Sequence, residues 1–155
     1  MVLLALFTLF HVLISLLGIA TGLVVVYGFV RGLRLAGFNK IFLLTTILTS
    51  VTGFMFPFRG ITPGIVLGVA SLVVLALALL ALQKAWTIVY IVTASLAEFL
   101  NVLVLIAQSF QKIPPLHTLA PKGNEPVVAV CQGAALLFFG LLAVVAIRKG
   151  KFVLV

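Results

Sequence analysis

The chain has 155 residues, 65% of them hydrophobic and only 8% charged, with a mean hydropathy of +1.45. A soluble domain carries roughly 25% charged residues, so a water-soluble globule is excluded and a polytopic membrane protein is expected, one helical domain over residues 1–155. The net charge of +8 would suit nucleic acid in a soluble protein; here the basic residues stand at the ends of apolar runs, where they anchor helices, and no nucleic-acid binding is expected.

Five apolar stretches approach the ~20 residues that cross a ~30 Å hydrocarbon core. The first, about 8–30, ends at Arg31. No basic residue precedes it, so it reads as a retained span rather than a cleaved signal peptide. The second, about 40–57, is the shortest and carries Thr45, Thr46, Thr49, Ser50 and Thr52. Such hydroxyls bond back to their own helix carbonyls or line a site. A turn follows at Pro57-Phe58-Arg59-Gly60.

The third stretch, about 61–82, is uncharged and ends at Lys84; the fourth covers about 86–110. A proline-rich loop over 111–126 then leads to the fifth, about 127–147, closed by Arg148, Lys149 and Lys151. The single cysteine, Cys131, rules out an internal disulfide.

The expected fold is therefore an all-α, five-transmembrane-helix bundle. With the N-terminus outside and the C-terminus inside, the inner side receives Arg31, Arg34, Lys40, Lys84, Arg148, Lys149 and Lys151, against Arg59, Lys112 and Lys122 outside. Tyr27, Trp86 and Tyr90 then mark the inner interface, and Phe54, Phe56 and Phe58 the outer one. A four-span alternative has a re-entrant or interfacial second segment. A bacterial-type inner (plasma) membrane is the expected location.

Small residues mark where helices approach. Gly18 and Gly22 share a face of the first span with His11 and Ser15; Gly60, Gly64 and Gly68 enter the third, continued by Ser71; Gly133 and Gly140 lie in the fifth. These ladders serve packing within the chain, or a homo-oligomer or membrane partner through Gly18/Gly22 or Gly60/Gly64/Gly68.

The chain's only acids are Glu98 and Glu125, and Glu98 stands inside the fourth apolar run. Asn101 and Gln108 follow it on the same helical face. Topology places Glu98 near mid-membrane, with Asn101, Gln108, His11, Thr49, Thr52 and Gln132 in the outer half and His117, Lys122 and Glu125 in the outer loop. The inner half reads as nearly pure hydrocarbon. A polar pocket open to the outer side is expected, floored by Glu98. A carboxylate at the bilayer centre costs ~2.5–3.5 kcal/mol and no span carries a cation to pair with it, so Glu98 is expected to be neutral.

Catalysis is poorly provisioned: there is no nucleophile–base pair, no phosphate-cradling glycine loop and no acid dyad. His11, His117 and Glu125 have no metal-ligand spacing, and His117 in a loop is unsuited to facing a second haem ligand. The expected role is a non-catalytic binding or accessory subunit holding a lipid, a quinone-like or another amphipathic ligand, or a partner. The alternatives are a small proton-linked transporter using Glu98 and, third, a haem- or metal-binding membrane protein.

Overall fold

The computed structural model describes residues 2–56 and 62–154. They form α1 (Val2–Arg31), α2 (Ala36–Gly53), α3 (Pro63–Gln83), α4 (Thr87–Lys112), α5 (Pro114–Leu119) and α6 (Pro126–Lys149), with no strand among the described residues. The turn expected at Pro57–Gly60, with Phe58 and Arg59, lies outside the described residues, as does Gly60 of the small-residue ladder that enters the third span.

Local chemistry sets the helix ends. After α1, Gly32 takes a left-handed conformation (φ +70) and Leu33 N–H returns to Gly28 O at 2.9 Å, closing the last turn. Thr62 caps α3, its hydroxyl accepting from Ile65 N–H, and Pro63 occupies the first helical position. Gly150, also left-handed, ends α6.

α1, α3, α4 and α6 are each long and apolar enough to cross a membrane, which makes this an integral membrane protein by length and composition. The 30 residues of α1 rise ~45 Å, longer than the hydrocarbon core, and Val2, Leu3, Leu4 and Leu6 in its first turns are exposed. α2 does not join that group: its 18 residues rise ~27 Å, and Asn39, Lys40 and five hydroxyl side chains dilute its apolar character. Yet α2 runs the length of the bundle. Tyr90 of α4 donates to Asn39 Oδ1 near its start, and His11 of α1 meets Thr52 near its end.

Two sequence expectations need correction. The segment 111–126 is not all loop: α5 occupies its centre and carries His117, held against α4 and α6 by the buried trio Phe110, Ala120 and Val128. Pro114 and Pro115 begin that helix instead of preventing it, because proline is tolerated in a first turn. Nor is Tyr90 an interfacial anchor. It is completely buried, its hydroxyl satisfied by Asn39, while Tyr27 and Trp86 are exposed.

The core is continuous through α1, α2, α3, α4 and α6. Phe29 stands at its centre at one end, with ring centroids 5.8 Å from Tyr90 and 4.7 Å from Phe152, which folds back from beyond α6. Gly18 lies against Thr45 and Thr46, and Gly22 against Glu98 and Phe42, so this ladder is buried between α1, α2 and α4. Helix direction alternates, which gathers Arg31, Arg34, Lys40, Lys84, Arg148, Lys149 and Lys151 at one end; Lys112 and Lys122 lie toward the other.

Candidate functional site

At the end opposite the basic cluster, α1 to α4 enclose a cavity of about 580 Å³. Its walls are mainly leucine, isoleucine and valine, with Phe54 and Phe56 from the segment after α2. The polar lining is contributed by Thr8, His11 and Ser15 of α1, Thr49 and Ser50 of α2, Thr62 at the start of α3 and Ser71 within it, and Asn101, Gln108, Ser109 and Lys112 of α4.

Most of the hydroxyls here are committed within the chain. Ser50 Oγ donates to Thr46 O at 2.9 Å and lies 3.1 Å from Ser71 Oγ, tying α2 to α3. Ser15 Oγ donates to His11 O at 2.6 Å. Asn101 Nδ2 donates to Thr46 Oγ1 at 3.1 Å, tying α4 to α2. Thr52 Oγ1 donates to Leu48 O at 2.7 Å and lies 2.8 Å from His11 Nδ1. With the threonine proton directed at Leu48, Nδ1 is the donor to Thr52, and the neutral ring is left with Nε2 as a hydrogen-bond acceptor. An edge-on contact with Phe56, centroids 5.1 Å apart, fixes the imidazole further. The Gln108 amide and the Lys112 ammonium make no side-chain hydrogen bond to another described residue, while the Asn101 carboxamide stands beside both Thr46 and the Glu98 carboxyl.

Glu98 lies one turn deeper and is sealed from this cavity. It is completely buried, and neither carboxyl oxygen has a hydrogen-bond partner among the described residues; the neighbouring Ser95 Oγ is also unmatched. The carboxyl occupies space that Gly22 leaves by lacking a side chain, with the Phe42 ring beside it. The cavity therefore ends at Ile19, Leu100 and Asn101, and Glu98 is behind its floor instead of forming it.

The structure thus brings together His11, Thr49, Asn101 and Gln108, with Thr52 orienting the histidine from behind. Gln132 remains outside: α6 packs on α1 and α4, away from the α2–α3 side, and the residue is half-buried there. His117, Lys122 and Glu125 do not line the cavity either. Glu125 Oε1 accepts from Lys122 N–H at 2.9 Å, and this bond holds its carboxyl below the usual carboxylate range. The expectation of a featureless hydrocarbon half also fails: Asn39, Tyr90, Thr93, Ser95 and Thr45 are polar groups of that half, buried or half-buried.

Sequence reasoning left Thr8, Ser15, Ser50, Thr62, Ser71, Ser109 and Lys112 out of the site. The signal was present for two of them, since Ser15 is one turn from His11 and Ser71 is the only hydroxyl of the third apolar run beyond Thr62 at its start. No group of three or more His, Cys, Asp or Glu that would hold a metal occurs among the described residues. Comparison with family models, curated proteins and solved structures finds no match.

Proposed function

We propose that this is a non-catalytic binding or accessory subunit, a five-span protein of a bacterial-type inner membrane with N-terminus out and C-terminus in, whose outer-half cavity holds an amphipathic ligand such as a lipid or a quinone-like molecule. The observation that carries the reading is the cavity itself: about 580 Å³, within the ~300–1,000 Å³ typical of ligand pockets, apolar on its walls, with a few uncommitted polar groups converging. The His11 Nε2 acceptor suits a hydroxyl, and the Gln108 amide either a donor or an acceptor. Antiparallel neighbours and the basic cluster at one end support the topology.

The test is retention. Protein extracted gently from its membrane and weighed intact should carry a small amphipathic molecule. Ser109→Trp, which fills the cavity from α4, should lose it, and His11→Ala should weaken its retention. Gln132→Ala and His117→Ala, which alter residues outside the cavity, should not. Equal retention by all four variants refutes the reading.

One observation favours a second reading, a proton-linked transporter: a completely buried carboxyl with both oxygens unmatched. Groups of this kind inside membrane bundles commonly mark proton or ion routes. Proteoliposomes should then show proton flux that Glu98→Gln abolishes while expression and assembly persist. Loss of assembly alone assigns Glu98 to packing.

A further inference from the structure

A second cavity, about 570 Å³, opens at the basic end of the bundle. The left-handed turn at Gly32 sends the chain across the foot of α1, and α2 begins with Asn39 and Lys40 on the cavity rim. Beyond α6 the chain returns to bury Phe152 and Leu154, which complete the wall beside Val25, Phe29 and Leu43. Leu44, Ile47 and Leu79 continue the lining toward mid-bundle between α2 and α3. The result is an apolar groove with a polar, cationic mouth.

The mouth carries two exposed cations, Arg34 and Lys40, and no Asp or Glu side chain lies beside them among the described residues. The chain's two acidic side chains stand elsewhere, Glu98 sealed within α4 and Glu125 at the opposite end of the bundle. Asn39 adds directed polarity: its Oδ1 accepts from the Tyr90 hydroxyl, so its amide N–H₂ remains to donate at the rim. A phosphate would find two cations and an amide donor, and an acyl chain would find the groove running from them into the hydrocarbon. A free phosphate would use only the mouth, and a zwitterionic headgroup would bring a cation among cations.

We infer that this cavity is a binding site for one anionic glycerophospholipid, its phosphodiester held by Arg34, Lys40 and Asn39 and an acyl chain laid along Leu44, Ile47 and Leu79. Basic pockets between membrane helices hold acidic headgroups in this manner, each cation adding attraction to an anionic lipid. The inference is independent of what fills the cavity at the other end.

Delipidated protein in a zwitterionic detergent, carrying Ser109→Trp to empty that other cavity, is titrated with phosphatidylglycerol and with phosphatidylcholine, and bound lipid is counted by intact mass. One phosphatidylglycerol should be retained per chain, at least tenfold more tightly than phosphatidylcholine. Arg34→Gln/Lys40→Gln should lower its affinity by roughly tenfold or more. Ile47→Trp, which narrows the groove without changing charge, should lower it as well. Lys84→Gln/Arg148→Gln, which removes equal charge elsewhere at the same end, should leave it unchanged; circular dichroism confirms that each variant is folded. Equal affinity for both lipids overturns the inference. So does equal loss from the Lys84/Arg148 variant, which would mean diffuse surface attraction, or displacement of the lipid by millimolar inorganic phosphate, which would mean a free-anion site.

Discussion

Gly22→Ala is the substitution whose outcome the structure specifies most closely. A methyl group there would overlap the Glu98 carboxyl and come to 2.8 Å from Phe42 Cε2, where carbon atoms normally rest ~3.5–4.0 Å apart. Overpacking of this kind costs ~1–3 kcal/mol, while alanine gains up to ~1 kcal/mol over glycine in a helix interior. The single variant should therefore lose about 1–2 kcal/mol of stability. In a Glu98→Ala background the carboxyl is gone and Phe42 has space to shift, so only the helix gain remains and Gly22→Ala should be neutral or stabilising. Glu98→Gln keeps the shape of the side chain and should give no relief. Reversible unfolding of the four combinations in mixed micelles yields the coupling, expected at about 2 kcal/mol. Additive effects, within ~0.5 kcal/mol, would refute the contact between Gly22 and Glu98 and with it the packing of α1 on α4.

Other consequences follow from the same contacts. Asn101→Ala and Thr46→Val should each weaken the bundle by about 0.6 kcal/mol, the usual worth of an interhelical hydrogen bond in lipid, and the double variant should be no worse than either, as read by the same unfolding assay. Glu125 contributes with a defined pH sign. Its carboxyl is depressed in the folded loop by the Lys122 N–H, so its contribution is full above the unfolded value of about 4.3 and is lost as pH falls through the lower folded value. The extra protection of the Lys122 amide against hydrogen exchange, wild type relative to Glu125→Gln, should vanish over that acidic interval and not at neutral pH. Finally, single cysteines at Ala36 and Gly53, placed in a Cys131→Ser background, should react with impermeant reagents from opposite sides of sealed vesicles; labelling from one side would favour a second segment that does not cross.

Four of the long helices were legible because apolar length alone dictates them, α2 was bounded instead by the charge and proline that flank it, and the limits shifted for identifiable reasons. Charge marks where hydrocarbon ends, not where a backbone stops being helical, so α2 begins at Ala36, ahead of Lys40. The polar stripe was legible only in part. Ten positions after Glu98, a helix at 100° per residue has drifted about 80°, so Gln108 looks into the cavity while Glu98 faces Gly22 and Phe42. Gln132 was grouped with them by depth, but depth says nothing about which side of α4 receives α6. Which helices neighbour one another also decides that Ser50 and Ser71 meet. The cavity at the basic end depends on residues beyond the last span folding back, and no periodicity announces that.

The most direct measurement is a structure of the protein in a lipid bilayer, read at the cavity between α1 and α4. An elongated density, its polar end within hydrogen-bond reach of His11 Nε2, Asn101 or Gln108 and its tail along the leucine and valine walls, is the expected result. A cavity closed by the aromatic side chains Phe54 and Phe56, or holding water alone, would contradict the proposed function.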